Sequence, residues 1–258
     1  MNISNVQCFL LDLDGTIYLG DHIIDGSLEA LKKIKESGKI YRFLTNNSST
    51  SIASYQKHLK KFGIKAQKGE IISSNLVAIK YLNDNFHGKK IYVMASKEVI
   101  REYKKAGVLV VEDNPDAVVL TFDKTLTYKK LEKACRFIEH GAFYIATHPD
   151  FNCPGENCKL PDVGSLMECI YKTNDKVPNI ICGKPDELMA EYIKIACNLP
   201  SDKIAMIGDR TYTDMKFAQK AGFRSILVLS GETKKDMITE KYDLVLKSLK
   251  DLIKMFEN

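Results

Sequence analysis

Short continuous apolar runs alternate along this chain with longer stretches in which apolar residues recur every three or four positions. The first pattern marks buried strands and the second marks helices with one covered face. Residues 6–11 form the first apolar run. Residues 27–37 follow as a helix, with Leu28, Leu31 and Ile34 on one side and Gly38 as its stop. A strand at 40–44, a helix over 51–62 ended by Gly63, and a helix from Asn75 carrying Val77, Ile79 and Leu82 come next. The pattern then starts afresh. Strands are expected at 90–94, 108–111, 117–122 and 143–146, with helices over 97–106 and 128–139. A turn-rich stretch, 148–164, leads to a helix at 165–172. The last third returns to strands at 180–182, 203–207, 225–229 and 244–246, with helices over 186–197 and 214–221 and at the C-terminus. Strands alternating with helices predict an α/β fold with a parallel sheet. The middle section holds enough elements for a core of its own. The expected organisation is therefore a discontinuous core, residues 1–80 and 180–258, with an inserted α/β domain at 81–179.

Composition narrows the class without naming a chemistry. The chain has 258 residues, 45% hydrophobic and 28% charged, as ordinary globular domains do. No apolar run approaches the length of a bilayer span, and the N-terminal residues do not read as a signal peptide. Cys8, Cys135, Cys153, Cys158, Cys169, Cys182 and Cys197 are odd in number and scattered. That favours reduced thiols in a cytoplasmic protein over a disulfide framework. The net charge of +5 is mild and interspersed. It offers no basic stripe for nucleic acid, although a weak positive field suits small anionic substrates.

Polar residues collect at the ends of the expected strands. Asp12 and Asp14 follow the first run, Thr45 and Asn46 the second, and Asp209 and Asp214 follow the strand at 203–207. Lys184 lies just after 180–182. Strands side by side in a parallel sheet open these ends on one edge, where ligands bind in such folds. Four carboxylates, a lysine, a hydroxyl and backbone amides equip such an edge for phosphoryl transfer. Each residue alone has a plainer reading: Thr45 and Asn46 as helix caps, Asp214 as an acid at a helix start, Lys184 as a surface lysine. The joint pattern displaces those readings for Asp12, Asp14, Lys184 and Asp209.

Asp12-Leu13-Asp14-Gly15-Thr16, Thr45-Asn46-Asn47-Ser48, Gly183-Lys184-Pro185 and Gly208-Asp209-Arg210-Thr211-Tyr212-Thr213-Asp214 occur in this order. Together they resemble the four motifs of the haloacid dehalogenase superfamily of phosphohydrolases, in particular its NagD and 4-nitrophenylphosphatase branch. There a cap domain is inserted between the second and third motifs. Spacing agrees, because 15–44 is too short for a cap whereas 47–183 is not. The resemblance implies a Rossmann-like catalytic core, residues 1–80 and 180–258, and a substrate-selecting cap, 81–179. It implies that Asp12 is the nucleophile forming an aspartyl-phosphate. Asp14 then protonates the leaving alcohol and deprotonates the attacking water. Thr45 and the Asn46 amide hold phosphoryl oxygens, and Lys184 neutralises the phosphate. Asp12, the Asp14 carbonyl and Asp209 ligate Mg2+, with Asp214 supporting the metal's waters or Lys184 from behind. Asn47, Ser48 and Arg210 stay without a role.

The implied activity is magnesium-dependent hydrolysis of small phosphomonoesters, such as sugar phosphates or nucleoside monophosphates. The partner is then a small phosphorylated metabolite, with no nucleic acid and no membrane; the branch also allows a homodimer. A cap that closes over the site would exclude bulky substrates. Transfer to a second alcohol, as in a mutase, is the enzyme alternative, but mutase caps lie between the first two motifs. A signalling receiver is about half this length, and a binder without activity has little need of both Asp12 and Asp14. Cys153 and Cys158, with His148 nearby, lack the usual spacing of zinc ligands. Asn152, Glu156, Asn157 and Lys159 make the same stretch, 152–162, a candidate for substrate selection.

Overall fold

Strands and helices alternate along the computed structural model, which describes residues 3–67, 69–155 and 158–256. The order begins β1 (Cys8–Leu11), β2 (Tyr18–Leu19), β3 (His22–Ile23), α1 (Ser27–Glu36), β4 (Ile40–Thr45), α2 (Ile52–Lys61), β5 (Ile71–Ser73) and α3 (Ser74–Asn85). It continues with β6 (Lys90–Met94), α4 (Lys97–Lys105), β7 (Leu109–Val110), β8 (Ala117–Leu120), α5 (Tyr128–Glu139), β9 (Phe143–Ala146), β10 (Asn152–Pro154), β11 (Lys159–Pro161), α6 (Val163–Asn174) and β12 (Ile180–Ile181). The last elements are α7 (Glu187–Cys197), β13 (Ile204–Gly208), α8 (Lys216–Ala221), β14 (Arg224–Val228), β15 (Leu244–Leu246) and α9 (Leu249–Ile253). No helix among the described residues is long and apolar enough to cross a membrane.

The chain folds into two compact units. The first comprises Met1–Thr45, Gln56–Ile72 and Met189–Asn258, and the second Asn46–Tyr55 and Ser73–Leu188. The first unit holds a sheet in the order β15-β14-β13-β1-β4-β5. β1 pairs in parallel with both β4 and β13, Cys8 lying opposite Ile40 and Ile204. Every residue of β1 is buried, as a continuous apolar run in a covered parallel sheet requires. Burying Phe9, Leu10 and Leu11 contributes about 1.5–3 kcal/mol each. On α1 the buried residues Ala30, Leu31 and Ile34 fall on one face, one turn apart. All seven cysteines are free thiols. Cys8 and Cys197 face each other with their sulfurs 3.7 Å apart. The hydrogen bond from Cys8 draws the Cys197 thiol down to about 7, while the same bond and burial push Cys8 up.

The second unit holds a sheet in the order β12-β9-β8-β6-β7, its neighbouring strands parallel. Tyr92, Met94, Val118, Leu120, Phe137, Tyr144 and Ile170 are among the residues of its core. Thr127 starts α5 by accepting the Lys130 N–H, and Ser96 starts α4 by accepting the Val99 N–H. Three segments lie differently from the sequence pattern. The strand at 180–182, expected in the core, is β12 and pairs Ile180 with Ile145 in the second unit's sheet. The helix from Asn75, placed within 1–80, is α3 and also belongs to the second unit. The stretch expected as turns closes into an antiparallel hairpin, Asn152 opposite Pro161. Hydrophobic periodicity reports that a strand is buried but not which sheet it joins.

Candidate active site

Where β1 ends, the backbone N–H of Asp12 donates to Ile207 O at 2.9 Å, so Asp12 continues the ladder beside the end of β13. Asp209 follows the last residue of β13. A π-helical turn, Thr211–Met215, then precedes α8 and carries Asp214. Carboxylate oxygens of Asp12, Asp209 and Asp214 come within 4.8 Å of one another. Asp209 and Asp214 are buried and Asp12 half-buried. Asp14, also half-buried, stands outside this trio in the turn that pairs it with Tyr18. Thr45, buried at the end of β4, lies in the same unit.

Close backbone approach encloses the Asp209 carboxylate. Its Oδ2 accepts the Glu232 N–H at 2.6 Å, whereas its Oδ1 is buried with no hydrogen-bond partner. A Cβ on Gly15 or Gly231 would collide with Asp209. Gly15 also has φ of +86°, a conformation other residues rarely take. Asp214 Oδ2 accepts the Arg210 N–H at 3.1 Å, and the Arg210 side chain pairs with Glu232 at 3.0 Å. Burial pushes the Asp209 carboxyl up to about 6 and the charge of Asp214 adds to this, while the Glu232 N–H and Arg210 oppose it. Crowded acids with a buried, unpartnered oxygen are costly as they stand. An all-oxygen donor set of this charge fits a hard divalent cation such as Mg2+. Among the described residues it is the one group of His, Cys, Asp and Glu so arranged; His148, Cys153 and Cys158 form no such group.

Asn46 and Lys184 lie in the second unit. They are both buried and are brought together there, Lys184 N–H donating to Asn46 Oδ1 at 2.8 Å. The Lys184–Pro185 bond is cis. Two residues without an expected role shape the chain after β4. Asn47 Oδ1 accepts the Ser49 N–H at 3.0 Å, an Asx turn. Ser48 shares a hydrogen bond with the Thr147 hydroxyl at 2.9 Å and accepts the Phe122 N–H at 2.8 Å. Sequence reasoning passed over Glu232, Asp150 and the full surroundings of His148. The one available signal was the polar run Thr147-His148-Pro149-Asp150 directly after β9.

A family model described as haloacid dehalogenase-like hydrolase matches residues 9–109, and a HAD-hydrolase-like model matches 181–252. The chain is 32% identical over 251 residues to the sugar-phosphatase AraL of Bacillus subtilis, covering 96% of this chain and 92% of that protein. It is 30% identical to the acid sugar phosphatase of Staphylococcus haemolyticus, over 97% of this chain and 95% of that one. The crystal structure of a 4-nitrophenylphosphatase from Thermotoga maritima superposes with a TM-score of 0.95 at 39% identity, covering 98% of each chain.

Proposed function

The chain belongs to the haloacid dehalogenase-like hydrolases and is a phosphoric monoester hydrolase, and from that premise we propose that it hydrolyses sugar phosphates and similar small phosphomonoesters with Mg2+, through a phosphoryl group carried on Asp12. The observation that carries this reading is the trio formed by Asp12 and Asp209, at the ends of the adjacent parallel strands β1 and β13, and Asp214 on the turn that follows, with a buried Asp209 oxygen left unpartnered. The substrate class follows from the relatives, two of which are named sugar phosphatases.

In this mechanism an Asp12 oxygen attacks phosphorus, and the bond from phosphorus to the alcohol oxygen breaks. Asp14 gives its proton to that departing oxygen. It then takes a proton from water, which attacks phosphorus and releases Asp12 and inorganic phosphate. The Thr45 hydroxyl and the Asn46 backbone N–H hold phosphoryl oxygens, and Lys184 supplies a positive charge to the phosphate. Asp12, Asp209 and the Asp14 carbonyl would hold Mg2+, with Asp214 supporting the ion's waters or Lys184. The ion supplies charge neutralisation between the acids and the phosphate. The second unit selects the leaving group.

Asp12→Asn keeps the size of the side chain and removes its nucleophilic anion. Its hydrolysis of 4-nitrophenyl phosphate and of a sugar-phosphate panel should fall to background with an unchanged circular dichroism spectrum. The parent should work in Mg2+ and stop in a chelator. Substantial turnover by folded Asp12→Asn would sink the covalent route, and full activity in chelator would sink the metal.

A further inference from the structure

The side chain of Asn46 has a task apart from its backbone amide. Its Oδ1 accepts the Lys184 N–H at 2.8 Å, and its Nδ2 donates to Lys184 O at 2.9 Å. The amide thus grips the lysine's backbone at both donor and acceptor, as one peptide group grips another in a ladder. A residue held on both sides of its Cα has the direction of its side chain set. The approach depends on the residue before the lysine. A Cβ on Gly183 would lie 2.6 Å from Asn46 Oδ1 and 2.7 Å from Thr147 O and His148 Cβ, closer than packed atoms allow.

The amide of Asn46 could bind the other way round unless something fixes its ends. Asp150 fixes them. Its Oδ2 accepts from Asn46 Nδ2 at 3.0 Å, and a carboxylate accepts but does not donate. The same Asp150 oxygen faces His148 Nδ1 at 3.5 Å, and His148 Nε2 faces Asp162 Oδ1 at 3.4 Å. Asp150, His148 and Asp162 are all buried. Neither ring nitrogen makes a hydrogen bond, so the imidazole acts on the two acids by its place between them. The far end is anchored in α6: Asp162 Oδ1 accepts the Val163 N–H at 2.8 Å, and Asp150 O accepts the Gly164 N–H at 2.8 Å. A continuous chain of polar groups therefore runs from the start of α6 to the backbone of Lys184, entirely within the second unit.

We propose that Asp150 and His148 are positioning residues for Lys184, acting on it through the side-chain amide of Asn46. The inference rests on the reading that Lys184 holds the phosphate. His148 stands between two buried acids and keeps Asp150 in place as the acceptor that orients Asn46. The amide in turn presents the lysine. Replacing the His148 imidazole, or putting at Asp150 a group that can turn a donor toward Asn46, loosens the lysine without touching the phosphate.

The test measures binding of inorganic phosphate by isothermal titration calorimetry in buffer containing Mg2+, on full-length Asp150→Asn, His148→Gln, Asn46→Asp and Lys184→Met. Circular dichroism and thermal melting accompany each; Asp150→Asn conserves shape if His148→Gln fails to fold. Losing one charged or oriented hydrogen bond weakens binding by about three- to tenfold. The dissociation constant should rise by that factor in the Asp150, His148 and Asn46 variants. KM for 4-nitrophenyl phosphate should rise with it, and more than kcat falls. In a Lys184→Met background the same substitutions should change phosphate binding by less than twofold, because the group they position is gone. Lys184→Met that weakens binding while the other variants bind as the parent overturns the inference and leaves the lysine's reading intact. Full additivity in the double variants also overturns it, since a general loss of structure would not depend on the lysine. Unchanged binding in Lys184→Met overturns the reading of the lysine, and the inference with it.

Discussion

Asp209 concentrates the electrostatics of the first unit. Its carboxyl, raised from the ordinary 3.8 to about 6 by burial and by Asp214, holds a proton that the unfolded chain has already released between those values. Its contribution to stability is therefore full below about pH 4 and is lost as the pH climbs to about 6. Asp209→Asn keeps an oxygen for the Glu232 N–H and turns a crowded anion into a donor. In chelator at pH 7 it should melt a few degrees above the parent, and it should gain little from Mg2+, which should raise the parent's Tm. A variant that melts below the parent in chelator would refute this account. Asp12 and Asp209 were legible as members of one acidic group because each directly follows a strand, β1 and β13, in a short motif. Asp214 was read as a supporting acid, and its carboxylate stands beside those of Asp12 and Asp209. Asp150 was not legible, since it meets Asn46 across 104 positions and no local pattern announces that meeting.

At the scale of elements, the start of α2 is stabilised from α4. Glu98 Oε1 accepts the Ser51 N–H at 3.1 Å and the hydroxyls of Thr50, Ser51 and Ser54, and Glu102 accepts the Ile52 N–H at 2.8 Å. These acids satisfy donors that the first turn of a helix leaves open, a task usually done by the helix's own cap. Desolvation pushes Glu98 up, but the bonds from Ser51, Ser54 and Thr50 outweigh it and hold the carboxyl down at about 2. Its contribution is present above about pH 4.5 and is lost as the pH falls toward 2, opposite in sense to that of Asp209. Glu98→Gln should cost about 1 kcal/mol in urea unfolding at pH 7, and the difference from the parent should shrink between pH 5 and pH 3. A penalty independent of pH would show that the charge is not what acts. Periodicity located most helices and strands, α1, β1 and β13 among them. It failed where membership rather than type was at stake, as for β12. It failed also where runs were too short to show a period, as in β10 and β11.

For the molecule as a whole, the units do not separate the proposed roles: Asp12, Asp14, Thr45, Asp209 and Asp214 lie in the first, whereas Asn46 and Lys184 lie in the second, to which the proposal also gives the choice of leaving group. The hairpin of β10 and β11 is the expected selecting element. Of its polar residues Asn152 and Lys159 are described, while Glu156 and Asn157 lie outside the described residues. Lys159→Ala should shift relative kcat/KM among phosphomonoesters by roughly threefold to tenfold with little change in Tm. Unchanged ratios across the panel would place selection elsewhere. The same division has a consequence for synthesis. β1 needs β13 as its neighbour, and the whole second unit lies between them in the chain. At about 5–20 residues per second, a ribosome takes roughly 10–40 s to travel from one strand to the other. The second unit can close during that interval, but β1 passes it as an apolar strand with one edge bare, the kind of edge that recruits other chains. Crowded translation, in which several nascent copies share a messenger, is then the moment at which this protein is most exposed to its own first strand.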